Sequence, residues 1–516
     1  MVGLRRTAAI LVMALAAASC APQKTAEHVL RYRLKEMYKS LDPMMAGDDN
    51  SLVYVYLLFD GLVELVPDTL VPRPALAESW SISPDGLVYT FKLRDGIRFH
   101  DGRAITADDV VWSINRAATH PKSGKKSFFP AMAGVTTPDA RTVVVTLSHP
   151  YDAFLSVLAS EAGSVVPKEV YSLPDEGYRT HPVGSGPFKF ESSEPGISIT
   201  MTRFAQHWKT PPPNPIEKIK VSLIESSMTA LQEYLTGSLD FTQEIPPGQR
   251  RLLMKEHPAD FHHWTGMQLF YMGFNHASGP MKQSVLVRRA ITHAIDRDFI
   301  VRVLQEEKDQ AATGVIPPGM LGHLPGQEAP AHDPNMAAAL LAQAGYPNGH
   351  GLPELTYITN GTEGFILIAE RLRADLAAIG ITLKIKSMDF PTYMEATDPS
   401  RTAGPDADVF KQSFYCDYPD PDNFLTEQFG RLGSANSGKY DNPEFERLLG
   451  QARFEPDHAR RKEMYESLDR FLTTDAALVP LYWYGKDILL KPDITGFKPS
   501  PLGTFGIPWE EMSLNR

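Results

Sequence analysis

Between Leu76 and Ser113 the chain reads LAESWSISPDGLVYTFKLRDGIRFHDGRAITADDVVWS, and local chemistry leaves this stretch few ways to fold. Pro84-Asp85-Gly86 is a tight turn, because Pro presets φ and Gly accepts a positive φ. Leu87, Tyr89, Phe91 and Leu93 then alternate with Val88, Thr90 and Lys92, which predicts a strand with one strongly apolar face. Asp95-Gly96 and Asp101-Gly102 are further hairpin-type turns. Thr106 and Asp109, three apart and just before Val110, Val111 and Ile114, predict a capped amphipathic helix with an acidic first turn. Nothing in the stretch is arranged as a catalytic or metal-binding constellation.

A chain of 516 residues is too long for one core, so two or three domains are expected. The formal charge of −11 argues against nucleic acid or an anionic membrane surface as the main partner. The 42 prolines suit many loops and strand ends better than long helical bundles.

Further along, Leu30–Leu34, Thr142–Leu147, Ile219–Ile224 and Leu269–Asn275 read as strands, and Phe154–Ala159 and Ala230–Leu235 as helices. Val287–Leu304 reads as one helix with Val287, Ala290, Ile291, Ala294 and Ile295 on one face. Leu355–Thr359, a helix marked by Ala369, Leu372, Leu376 and Ile379, and the alternating Ile381, Leu383 and Ile385 form a strand–helix–strand unit. This order predicts an α/β chain with a parallel component. A helix after Asp457 carries Met464, Leu468, Phe471 and Leu472 as its buried stripe, and Val479–Tyr484 is the final core strand. Gly184 and Gly186, in VGSGPFKF, relieve crowding where the chain returns to a sheet. Gly47-Asp48-Asp49-Asn50 is turn-forming.

The two cysteines are Cys20 and Cys416. Arg5 and Arg6, the apolar run Ala8–Ala18 and Ser19-Cys20 form a targeting segment too short to stay in a bilayer as a spanning helix. It resembles a bacterial lipoprotein signal over residues 1–20, which implies lipidation of Cys20. Cleavage after Ala16-Ala17-Ala18 is the other reading, that of ordinary secretion. Either way an intramolecular disulfide is not expected. Cys416, a lone thiol in an oxidising compartment, is expected to be buried.

Ser413–Leu425, SFYCDYPDPDNFL, sets Asp417, Asp420 and Asp422 among aromatics and two prolines. Three readings stand: a cation site, although the glycine and terminal glutamate of an EF-hand loop are missing; a turn in which Asp and Pro serve conformation; and a ligand anchor at Asp417. Enzyme signatures are missing from the chain: there is no G-x-S-x-G, H-E-x-x-H or P-loop, and no paired catalytic cysteine and histidine. Neither cofactor nor metal is called for, and the chain is not expected to be an enzyme.

The ordered series AESW, SPDG, YTFKLRDG, FHDG and TADDVV closely resembles the signature region of bacterial extracellular solute-binding proteins of family 5, the dipeptide and oligopeptide receptors of ABC importers. Leu41-Asp42-Pro43, Leu58–Leu62 and Val183–Phe190 match further landmarks. The resemblance implies a two-lobed, periplasmic-binding-protein-like α/β fold of class II with an extra inserted domain. Lobe I would comprise residues 25–59, 183–275 and 482–516, the inserted domain 60–182 and lobe II 276–481. Ligand would be enclosed by hinge closure.

Ser413–Phe424 looks like the family's DY-x-[DE]-P-x-x-F motif. This implies that Asp417 pairs with a peptide's α-amino group, and that Ser413 and Tyr415 pair with the peptide backbone as an added strand. Tyr484 matches another lining position. Asp48 and Asp49 fall in a loop whose relatives lend backbone groups to ligand. Strict dipeptide receptors place an Arg before the helix near Ile366, and Asn360–Gly364, NGTEG, has no basic residue. A longer peptide is therefore expected, with a nickel complex, haem, oligosaccharide or antibiotic as the alternative ligand. The implied partner is an ABC permease in the inner membrane. The receptor would be a monomer in the periplasm or cell envelope, lipid-anchored at Cys20.

Overall fold

The computed structural model describes residues 28–172, 178, 181–327 and 330–516. Cys20, the signal segment 1–20 and the first three residues of the expected 25–59 segment lie outside the described residues.

The Leu76–Ser113 stretch folds as its local chemistry demands. Gly86 turns with φ +71° and donates its N–H to the Ser83 carbonyl at 2.8 Å. The strand Val88–Leu93 buries Tyr89, Phe91 and Leu93 on one face. It lies between Ala77–Ile82 and Thr142–Leu147, both antiparallel, and Met132–Asp139 completes a four-stranded sheet. Thr106 caps the helix Ala107–Thr119 by accepting the Asp109 N–H, and Asp109 accepts the Thr106 N–H in return. Such a cap contributes about 1 kcal/mol. Val110, Ile114 and Ala117 bury against the sheet in a core of its own.

The second sheet has eleven strands. Its path runs Leu383–Met388, Leu355–Asn360, Val409–Tyr415, Phe261–Phe274, Leu478–Leu490, Phe241–Gln243, Val29–Leu34, Lys218–Leu223, Ser198–Arg203, Phe188–Glu194, with Gln310–Ala311 paired to Leu478–Leu490 off the path. The strand–helix–strand unit is parallel as expected, with Leu355 opposite Leu383. Two long antiparallel strands, Phe261–Phe274 and Leu478–Leu490, hold the sheet's halves together. Their register breaks between Thr265 and Leu269. Phe261–Phe274 starts earlier than Leu269, because His262, His263 and Trp264 lack apolar alternation yet pair with Ile488, Asp487 and Lys486.

Two helices depart from their sequence patterns. Val285–Ala294 stops where Ile295 turns to an extended ψ of 124°. Asp296 then caps a new turn through the Phe299 N–H, and a π-helical segment covers Ile300–Leu304. An Asp side chain competes with helical hydrogen bonding and favours a start over an interior position. His458–Thr474, capped by Asp457, buries Arg461, Tyr465, Leu468, Asp469 and Leu472, leaving Met464 and Phe471 only partly buried. Arg461 can stay inside because both guanidinium ends pair with Asp420, at 3.0 and 2.7 Å.

Gly184 and Gly186 pass the end of the helix Asp49–Leu58. A Cβ on Gly184 would lie 1.9 Å from the Leu58 carbonyl oxygen, and one on Gly186 2.6 Å from that of Leu57.

Candidate ligand-binding site

The strand Val409–Tyr415 has one covered edge and one largely open edge. Along Phe261–Phe274 it pairs throughout, from Gln268 opposite Tyr415 to Phe274 opposite Val409. On its other side Leu355–Asn360 reaches only Val409 and Phe410. Backbone groups alternate in direction along an antiparallel pair. The Cys416 N–H donates to the Met267 carbonyl at 3.2 Å, so Phe414 and Gln412 also face that neighbour. Ser413 and Tyr415 then turn their N–H and C=O groups to the open edge. The Lys411 carbonyl faces the same way, accepting from the Tyr393 hydroxyl. Among the described residues, no strand pairs with Ser413 or Tyr415 along that edge.

Just beyond this edge lies Asp417. Its N–H donates to Asn423 Oδ1 at 2.9 Å, and its Oδ2 accepts from Asn423 Nδ2 at 2.9 Å. Lys125 Nζ lies 3.9 Å from Asp417 Oδ1 and is ion-paired with Glu161. Glu161 Oε2 is buried with no hydrogen-bond partner. Two carboxylates thus face one ammonium. Burial pushes the Asp417 pKa up to about 6, against the attraction of Lys125 and with the repulsion of Glu161. Burial alone would lower the Lys125 pKa, but Glu161 and Asp417 hold it above its ordinary value. Glu427, also buried, attracts Lys125 and repels Asp417, so acid outweighs base in the cluster.

The remaining candidates from the sequence lie around this edge. The Tyr415 hydroxyl donates to the Gly47 carbonyl at 3.1 Å, tying the strand to the Gly47–Asp49 loop. Asp48 caps the helix Asp49–Leu58 by accepting from Ser51. Asp49, next to it, has a buried Oδ1 without a hydrogen-bond partner. Burial raises its pKa, against the pull of Lys486. The Tyr484 ring lies tilted against Phe270, centres 5.3 Å apart, with the ammonium groups of Lys308 and Lys486 over its ring at 4.1 and 4.7 Å. Asp49, Tyr415 and Lys486 line a cavity of about 10 Å³ beside Gly266–Gln268, room for one water molecule.

Asp420 and Asp422 serve the fold. Asp420 caps the helix Pro421–Phe429 and binds Arg461, while Asp422 is held by Arg453 and by the Tyr151 hydroxyl at 2.8 Å. Cys416 is buried, with its Sγ 3.9 Å from Met267 Sδ.

The family model for bacterial extracellular solute-binding proteins, family 5, matches residues 71–436. The chain belongs to this family. Heme-binding protein A of Haemophilus influenzae is 28% identical over 477 residues, covering 86% of this chain and 85% of that protein. The dipeptide-binding protein of Escherichia coli is 27% identical over 481 residues, covering 86% and 87%. The periplasmic binding protein DppA of Helicobacter pylori, an ABC transporter-associated protein solved with the peptide STSA, superposes with a TM-score of 0.83. It is 26% identical and the match covers 95% of this chain and 98% of that one. This solute-binding protein shares their fold along nearly its whole described length.

Sequence reasoning missed Lys125, Glu161 and Asn423. Asn423 stands within the DYPDPDNF run and was within reach. Lys125 and Glu161 carry no local signal, because only the docking of the four-stranded sheet brings them to Asp417.

Proposed function

We propose that this protein is the substrate receptor of an ABC importer, and that it captures short peptides against the open edge of Val409–Tyr415. The observation that carries the reading is that edge: backbone groups of Ser413 and Tyr415, with no strand partner among the described residues, lead directly to a cluster in which acid outweighs base. A peptide added as a strand satisfies those groups whatever its side chains. Its α-ammonium supplies a further cation at Asp417 through a charge-assisted contact. The peptide ligands of the Helicobacter and Escherichia relatives support the same reading.

Residues 25–59, 183–275 and 482–516 form one lobe, 276–481 the other, and 60–182 an inserted domain. The strands Phe261–Phe274 and Leu478–Leu490, paired with each other, run along the junction of the lobes and guide their closure. Closure excludes water and strengthens the contacts at Asp417. The closed receptor, a monomer tethered outside the inner membrane by lipid at Cys20, then hands its cargo to a permease.

Native mass spectrometry of the protein as purified, and again after addition of a mixed peptide pool, tests the reading. Peptide adducts on the wild type that are lost in Asp417→Asn support it. Unchanged adducts in that variant refute the anchor. A co-purified non-peptide mass, as a relative of a haem carrier could hold, replaces peptide by that compound's class.

A further inference from the structure

A cavity of about 100 Å³ lies apart from the open edge, between the helix Asp49–Leu58, residues 159–164 and residues 500–510. That is room for about seven to ten waters. Val55, Phe59, Leu65, Leu502 and Ile507 give it apolar walls. None of the described residues of 276–481 lines it, so it does not depend on closure of the lobes. Most charged groups of the lining have partners. Lys209 Nζ lies 2.7 Å from both Glu64 and Glu510, and Arg73 is held by Glu64 at 2.8 Å. Asp60 accepts from the Trp208 indole at 3.0 Å and faces His207 Nε2 at 3.1 Å. Glu161 differs. Its side chain is fully buried and one oxygen pairs with Lys125, but Oε2 has no hydrogen-bond partner among the described residues. The Tyr56 hydroxyl is buried near it: burial first, and the Glu161 charge next, hold that phenol well above its ordinary pKa.

A buried carboxylate oxygen without a partner costs free energy. An ammonium satisfies it, and apolar walls favour an ammonium carried on a compact hydrocarbon body. We propose that this cavity is a second binding site, taking a small aliphatic amine at Glu161, and that filling it weakens the hold on a cation at Asp417. The connection between the two sites is short. Lys125 pairs with Glu161 and lies 3.9 Å from Asp417, so a positive charge added at Glu161 acts on Asp417 as well. The sites are nonetheless separate. The Tyr56 ring lies 5.4 Å from that of Phe505, and Phe505 lies 5.8 Å from Tyr415, an aromatic partition between the cavity and the open edge. The coupling to a peptide rests on the peptide reading above, whereas the amine site itself does not. By linkage, amine and peptide weaken each other by the same factor.

Calorimetric titration of the purified protein with isopentylamine, charged at neutral pH, and with isopentyl alcohol, its uncharged analogue, tests the site on the wild type alone. The amine is expected to bind at least ~10-fold more tightly than the alcohol, the worth of one charge-assisted hydrogen bond. Trialanine titrated at rising amine concentration should lose affinity by ~3- to 30-fold and then reach a plateau. Ala159→Leu, at a partly buried position of the lining, narrows the cavity and keeps Glu161. With an unchanged circular dichroism spectrum, it should bind neither amine nor alcohol, and its trialanine affinity should ignore the amine. Equal binding of amine and alcohol to the wild type, or binding of neither, overturns the proposal. An amine that lowers trialanine affinity without a plateau competes at Asp417 and overturns the separate site, as does unchanged amine binding in Ala159→Leu. Failure of trialanine to bind the wild type overturns the peptide reading, and the direct amine titration then decides the cavity by itself.

Discussion

Lys125 Nζ sits 3.9 Å from Asp417 Oδ1 while ion-paired with Glu161, so the acid that would meet a ligand's ammonium already shares a lysine with a second acid. A lone buried Asp would stay protonated and attract nothing. With Lys125 beside it, Asp417 is largely ionised at neutral pH, and the cluster still holds more acid than base.

Replacing this lysine should therefore act on stability and on binding together. Lys125→Met leaves Glu161 and Asp417 buried without their cation, and breaking a buried pair in this way costs about 3–5 kcal/mol. Urea denaturation should show a lower midpoint with an unchanged slope. A midpoint equal to that of the wild type would mean that the pair contributes nothing to the fold.

Affinity for a peptide ammonium should fall in acid. The Asp417 pKa stands at about 6, above its ordinary 3.8, because of burial and Glu161 against the opposing pull of Lys125. The ionised form binds, so affinity is full above this value and falls as pH drops through it, approaching tenfold per pH unit. Titrations from about pH 5 to pH 8 with a peptide whose own charges do not change there would check this. Asp417→Asn should bind weakly at every pH, with a flat profile across that range.

Asp469 predicts a pH dependence of stability. Burial pushes its pKa from the ordinary 3.8 up to about 7, although it accepts the Val315 N–H at 2.6 Å. The folded chain holds this proton more tightly than the unfolded chain. Stability from this group is thus greatest at low pH and is lost as pH rises from the ordinary carboxylate range to about 7. Asp469→Asn keeps an acceptor for Val315 and removes the titration. Its denaturation midpoint should gain on the wild type as pH rises from about 5 to 8, and a constant difference would refute the assignment.

Two glycines should respond in opposite ways to the same methyl group. A Cβ at Gly184 would sit 1.9 Å from the Leu58 carbonyl oxygen, a backbone atom that cannot swing aside. Gly184→Ala should destabilise the protein by more than about 2 kcal/mol. Gly450 lies inside the helix Pro443–Arg453 with nothing within 4 Å of its Cβ position. Gly450→Ala should stabilise by about 0.5–1 kcal/mol, read as a rise in melting temperature.

Legibility of the chain followed the range of the forces involved. The hairpin and capped helix of Leu76–Ser113 were readable because φ preferences at Gly86, alternation from Tyr89 to Leu93 and the Thr106–Asp109 cap act within a few residues. The burial of Cys416 was readable from its chemistry, and the family from the order of its landmarks. Short-range signals misled where one residue's side chain outweighed the periodicity, as at Asp296, which ends a helix that the apolar pattern continues.

The charge pattern of the groove belongs to tertiary structure alone. Coulomb interactions depend on distance in space, and nothing along the chain relates Lys125 and Glu161 to Asp417. Nor does any residue of Val409–Tyr415 reveal which edge stays open. That is settled by a neighbouring strand, Leu355–Asn360, whose pairing stops at Phe410 and leaves Ser413 and Tyr415 without a strand partner on that side among the described residues.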